Sequence, residues 1–204
     1  MKKELIVFVL VISYFHAISL SQTKSANDWF DSAQAKYNIN DYQGAIADYT
    51  KVISLKPNYA NAYNNRGLAK YKLEDNHGAI ADYTKAISLK SDIAEFYFNR
   101  GLPEVKIEDY QRAISDFTKA IKMNPNDAEA YHFRGLAKSL LEDYRGAIAD
   151  FTKSIHLNPD DAEVYFNRGV TYYNYRQRRE AMSDFMRAIE LGYRVPQNYL
   201  DACK

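Results

Sequence analysis

Ala60-Asn-Ala-Tyr-Asn-Asn-Arg-Gly-Leu-Ala-Lys-Tyr-Lys-Leu73, then Glu-Asp-Asn-His77, then Gly78-Ala-Ile-Ala-Asp-Tyr-Thr-Lys-Ala-Ile-Ser-Leu89 is the stretch that decides the fold. Apolar residues return at three- and four-residue steps in both long segments, the period of a helix that buries one face. A short polar turn separates the two. Stops follow the second segment of several units, at Lys56-Pro57, Asn124-Pro125 and Asn158-Pro159. Proline has no N–H to continue a helix and biases the residue before it away from helical geometry. The unit therefore reads helix, turn, helix, stop.

The unit recurs at a spacing of 34 residues. Arg-Gly stands at Arg66-Gly67, Arg100-Gly101, Arg134-Gly135 and Arg168-Gly169. Ala-Ile stands at Ala45-Ile46, Ala79-Ile80, Ala113-Ile114 and Ala147-Ile148, and Ala181-Met182 continues the series. Each is followed by an Asp-aromatic pair: Asp48-Tyr49, Asp82-Tyr83, Asp116-Phe117, Asp150-Phe151 and Asp184-Phe185. A fixed period of this size predicts a solenoid, in which no single unit buries its own apolar face.

Counted from Ala26, Ala60, Ala94, Ala128 and Ala162, position 4 is aromatic (Trp29, Tyr63, Tyr97, Tyr131, Tyr165) and position 8 is small (Ala33, Gly67, Gly101, Gly135, Gly169). Position 20 is always Ala and position 24 always Tyr or Phe. On these residues the chain resembles the tetratricopeptide repeat family from Ala26 to Val195. The resemblance implies an all-α, right-handed solenoid of five helix-turn-helix repeats over residues 26–59, 60–93, 94–127, 128–161 and 162–195. Residues 196–204 then form a short capping helix, starting at Pro196 and apolar through Tyr199, Leu200 and Cys203. Small residues at 8 and 20 let two helices approach, and the aromatics fill the space between units.

Two departures from the family pattern stand out. Position 7, usually Leu, is Arg66, Arg100, Arg134 and Arg168, while position 23 is Asp in every unit. An unpaired buried charge costs several kcal/mol, so the expectation is a structural ladder of ion pairs. Repeat 1 has Ser32 instead of Arg and has no preceding repeat. That favours pairing each Asp with the Arg of the next unit: Asp48–Arg66, Asp82–Arg100, Asp116–Arg134 and Asp150–Arg168. The second departure is Pro103, at position 10 of repeat 3, where a kink is expected because proline in a helix interior costs about 3 kcal/mol.

The first 21 residues stand outside the array. Lys2 and Lys3 precede the apolar run Leu5–Phe15, and Ser19 and Ser21 stand at −3 and −1 before Gln22. This is a secretory signal pattern. The expectation is an exported, bacterial-type protein, periplasmic or secreted, with residues 22–25 as linker. The alternative is a membrane anchor through residues 5–20, although the run is short against the roughly 20 apolar residues of a span. Cys203 is the only cysteine, so no internal disulfide forms.

Charged residues are nearly balanced, with a formal net charge of +1, so no global field draws nucleic acid. His77, His132 and His156 have no Glu or His at metal-ligand spacing, and there is no glycine-rich phosphate loop. Neither catalysis nor a cofactor is expected. Function then falls to a protein or peptide partner, with a membrane involved only if the N-terminal segment is retained.

The resemblance implies that positions 2, 5, 9, 12 and 13 of each first helix line a concave wall. Position 5 holds Phe30, Asn64, Phe98, His132 and Phe166; position 12 includes Tyr37, Tyr71 and Tyr173; position 2 turns acidic at Glu95, Glu129 and Glu163. The expected site is an aromatic floor with an acidic edge that takes an extended peptide or a partner helix. The Lys and Arg residues with which some relatives grip the C-terminal carboxylates of chaperones are absent here, so that ligand is excluded. The second reading is a structural assembly protein of the cell envelope whose repeats stack without a peptide ligand.

Overall fold

The computed structural model describes residues 24–204; the expected leader, residues 1–21, lies outside them. Among the described residues eleven helices follow one another with no strand. Five pairs repeat in register: α1 (Ala26–Asn38) and α2 (Tyr42–Leu55), α3 (Ala60–Lys72) and α4 (Asn76–Leu89), α5 (Ala94–Lys106) and α6 (Tyr110–Met123), α7 (Ala128–Leu140) and α8 (Tyr144–Leu157), α9 (Ala162–Asn174) and α10 (Arg178–Glu190). A last short helix, α11 (Gln197–Ala202), closes the array. Each helix packs most closely on its hairpin partner, and each second helix then packs on the first helix of the next unit. No helix of the described residues is long and apolar enough to cross a membrane.

The turn inside each unit explains its exact repetition. Asn40, Glu74, Glu108, Glu142 and Arg176 all take φ of 62–63°, the left-handed conformation that ends one helix and reverses the chain. One residue later an Asp caps the second helix: Asp41, Asp75 and Asp143 accept from the N–H of Gly44, Gly78 and Gly146 at 2.9–3.0 Å. Asp109 makes the same bond to Arg112 at a looser 3.3 Å. Such caps contribute about 1 kcal/mol each.

Helix contact inside a unit depends on position 8. A Cβ added at Gly101 would lie 2.6 Å from Cε1 of Phe117, so the bare glycine is what lets the ring of α6 lie on α5. Tyr49, Tyr83, Phe117, Phe151 and Phe185 are accordingly all buried. Pro103 is fully buried in the slot that Ala69 and Ala137 fill elsewhere. The structure keeps α5 as one helix through it rather than breaking it there.

The ladder exists, but it does not run as the sequence suggested. Each guanidinium grips the Asp of its own unit with two bonds. Arg66 reaches Asp82 at 2.8 and 2.6 Å, and Arg100–Asp116, Arg134–Asp150 and Arg168–Asp184 repeat the geometry. Positions 7 and 23 face each other across the hairpin, so the pair closes within 16 residues and the expected Asp48–Arg66, Asp82–Arg100, Asp116–Arg134 and Asp150–Arg168 pairs are not formed. The link between units is made by the third nitrogen. Nη1 of Arg66, Arg100, Arg134 and Arg168 donates to the hydroxyl of Thr50, Thr84, Thr118 and Thr152, one unit back, at 2.9–3.1 Å. The missing arginine of repeat 1 has its reason here. Ser32 and Lys36 satisfy Asp48 at 2.6 and 2.7 Å, and no earlier repeat supplies a threonine. Burial alone would raise the Asp48 carboxyl, but the bonds from Lys36 and Ser32 outweigh it and hold it below the usual carboxylate range.

Candidate partner-binding wall

First helices of successive units touch one another, as α3 with α5, α5 with α7 and α7 with α9. This closer approach makes them the inner wall. It also decides what position 5 does, because in repeats 2, 3 and 4 its side chain meets position 6 of the following first helix. Phe98 lies edge-on to Phe133 with centroids 5.8 Å apart and packs on Phe117 at 5.7 Å. Asn64 accepts from Asn99 Nδ2 at 3.0 Å. His132 Nε2 lies 2.8 Å from Asn167 Nδ2, and burial lowers the imidazole pKa. Phe30 packs on Tyr49 and Tyr59.

Position 5 is therefore a seam between repeats. Asn64 and His132 are buried, and Phe30, Phe98 and Phe166 are half-buried, so these five do not form the free floor that the sequence suggested. Phe166 and Tyr173 are further covered from the C-terminal side. Phe166 stacks on Tyr193 at 4.8 Å, and Phe166 and Tyr173 each meet Tyr199 edge-on at 5.8 Å. Tyr199, Leu200 and Cys203 pack on the cluster of Ala181, Phe185 and Ala188, so α11 is the cap that the last apolar face requires. Cys203 is half-buried there as a free thiol, its pKa raised by burial.

What stays open is the other end of the wall. Gln34, Tyr37, Asn38, Tyr49, Asn65 and Leu68 line a cleft of about 300 Å³ between α1 and α3. Tyr37 was anticipated here. Gln34 and Leu68 occupy position 9 of the expected wall, whereas Asn65, at position 6, was not expected there. Tyr71 is half-buried, and burial raises its pKa. The acidic residues Glu95, Glu129 and Glu163 are exposed along one edge. Glu95 also accepts from Asn64 and Asn99 at 3.3 and 3.4 Å, and partial desolvation, then the charges of Asp127 and Asp161, push the Glu129 carboxyl up. Among the described residues no group of three His, Cys, Asp or Glu side chains is placed to hold a metal ion.

Profiles described as TPR repeat match residues 33–74 and 140–174, and profiles described as tetratricopeptide repeat match residues 60–93, 94–127 and 162–191. No curated protein matches the chain. Two crystal structures of MamA are similar at 28% and 27% identity, with TM-scores of 0.74 and 0.76; the matches cover 78% and 84% of this chain and 93% and 98% of theirs. The structure of YrrB, described as a TPR protein with an unusual peptide-binding site, is similar in fold at 24% identity and a TM-score of 0.74, over 87% of this chain and 92% of that one. Family and fold are those of protein-interaction scaffolds. With its repeat profiles, its helix pairs and its 34-residue register in agreement, the chain belongs to the tetratricopeptide repeat family.

Proposed function

We propose that the chain is a non-catalytic scaffold that binds an extended segment of a partner protein on its inner wall, centred on the cleft between repeats 1 and 2. The cleft carries the reading. Aromatic and amide groups (Tyr37, Asn38, Asn65) converge there with an apolar side chain (Leu68) around one open cleft. Such a mix of apolar body and convergent polar groups suits a peptide, whose side chains need pockets and whose amides need partners. Glu95, Glu129 and Glu163 lie on the same wall toward the C-terminus and favour a segment with Lys or Arg on that side, since charge complementarity selects partners. YrrB, whose structure is described as having an unusual peptide-binding site, offers a precedent for peptide recognition on this fold. The stacking alternative has less support, because α11 covers the apolar face that end-to-end assembly would use.

Selection from a displayed random-peptide library on residues 22–204 tests the reading. Enriched sequences should combine apolar residues with Lys or Arg. Leu68→Asp should weaken their binding at least tenfold at unchanged melting temperature, while Met186→Asp on the outer face should not. Equal binding by wild type and Leu68→Asp would remove the cleft from the site.

For the N-terminus we propose export with cleavage after Ser21, on the strength of the Leu5–Phe15 run and the small residues Ser19 and Ser21. N-terminal sequencing of exported protein should start at Gln22; an intact Met1 on membrane-bound material would favour the anchor.

A further inference from the structure

We propose that a second cleft, on the outer flank between repeats 2 and 3, is a socket for a primary ammonium group presented by a lysine side chain of a partner protein. Three of the other four repeats show what belongs there, repeat 5 having Tyr172 instead. In repeats 1, 2 and 4 position 11 is lysine, and its ammonium lies on the Asp of the ladder: Lys36–Asp48 at 2.7 Å, Lys70–Asp82 at 2.8 Å and Lys138–Asp150 at 2.7 Å. Repeat 3 has Glu104 in that position. A guanidinium and an ammonium share one carboxylate in repeats 2 and 4, whereas Arg100 in repeat 3 stands between two carboxyl groups.

Arg100 serves one of them. Its Nε and Nη2 hold Asp116 at 2.6 and 2.9 Å, while Glu104 Oε1 is left at 3.8 Å. Glu104 Oε2 is buried with no partner among the described residues, in a side chain only 5% exposed. Both acids line a cleft of about 260 Å³ with Thr84, Arg112, Ser115 and Lys119 among its other walls, ample for an ammonium and its last methylenes when one water occupies roughly 30 Å³. The departures cluster. Glu104, Arg112 and Ser115 stand where repeats 2 and 4 have Lys, Gly and Ala.

The charged groups around the socket are accounted for. Arg112 is largely exposed and turns to Asp109 at 3.3 Å, and Lys119 sits 5.2 Å from the centre of the Tyr97 ring. Burial, and then the charge of Asp116, push the Glu104 carboxyl up to about 8, so near neutrality it carries a proton. An entering ammonium favours the ionised acid; the proton leaves to solvent and a buried ion pair takes its place. The socket lies off the inner wall and does not depend on the peptide reading.

The test uses N-acetyl-lysine-N-methylamide as probe and N-acetyl-norleucine-N-methylamide as its uncharged control, with the Glu104 side-chain carboxyl followed by carbon NMR across pH. The lysine probe should lower the Glu104 midpoint by a unit or more, equivalent to at least tenfold tighter binding to the ionised form, and shift the amide signals of Thr84 and Ser115. The control should do neither. Glu104→Lys supplies the ammonium internally and should abolish the amide shifts; Glu104→Gln, which keeps the shape, should weaken binding at least tenfold. Equal responses to both probes would overturn the socket. So would binding that appears only in Arg112→Gly, since Arg112 would then be its internal plug.

Discussion

Arg134 and Asp150 form a two-pronged pair across one hairpin, with Nε to Oδ2 at 2.8 Å and Nη2 to Oδ1 at 2.6 Å. Their side chains are 15% and 6% exposed, so removing either leaves a charge with little water to turn to. Arg134→Leu or Asp150→Leu should each cost about 2 kcal/mol or more, below the 3–5 kcal/mol of a fully buried pair. The double variant should lose less than the sum. Denaturant titrations over the full cycle check this, and a parallel cycle of Arg134 with Asp116 should show no coupling.

Tyr83 buries its hydroxyl without a partner among the described residues. Repeats 3, 4 and 5 carry Phe117, Phe151 and Phe185 at the same position, all fully buried. Tyr83→Phe removes an orphaned donor at almost no change in shape and should stabilise the protein by about 1 kcal/mol. An unchanged or lower melting temperature would mean that the hydroxyl is bonded in solution.

Glu142 takes φ of 62°, where a side chain with a Cβ is strained and glycine is not. Glu142→Gly should raise stability by about 0.5 kcal/mol, provided the turn keeps its shape. Asn40→Gly should gain less, because asparagine already tolerates this conformation.

Two buried groups give opposite responses to pH. His132 keeps a folded pKa below its ordinary 6.5, so the unfolded chain binds more protons as pH falls below 6.5 and stability is lost in that direction. Glu104 holds its proton up to about 8 against an ordinary 4.5. Between those values the folded state binds more protons, and stability falls as pH rises. Glu104→Gln should therefore melt higher than wild type at pH 8, with the gap closing toward pH 4.5, whereas His132→Asn should flatten the acid side alone. Thermal melts from pH 4.5 to 8.5 separate the two.

Most of the fold was legible because helical period, turn and repeat spacing all act locally. Asp75 caps α4 three residues away, and Gly101 touches Phe117 within its own hairpin. The cap was legible for the same reason, from Pro196 and the apolar side of Tyr199, Leu200 and Cys203. The ladder's direction was not. Arg66 has an Asp sixteen residues ahead and another eighteen behind, and only the packing of α3 on α4 selects the first. The wall failed similarly. Whether Phe98 faces solvent or Phe133 depends on how closely α5 and α7 approach, a distance that one repeat does not encode. The open cleft beside Leu68 is a local gap in that approach.

The three-way grip of each arginine also bears on how such a chain lengthens. Arg100 bonds forward to Asp116 and back to Thr84, and Arg134 bonds forward to Asp150 and back to Thr118. Excising residues 94–127 would bring Thr84 to Arg134 in the same geometry and leave no guanidinium stranded. Duplicating them would add one complete rung. Any change that is not a multiple of 34 would break the count. The array is thus built so that unequal crossing-over can add or remove whole repeats without a compensating mutation, while repeat 1 closes the ladder with Ser32 and Lys36.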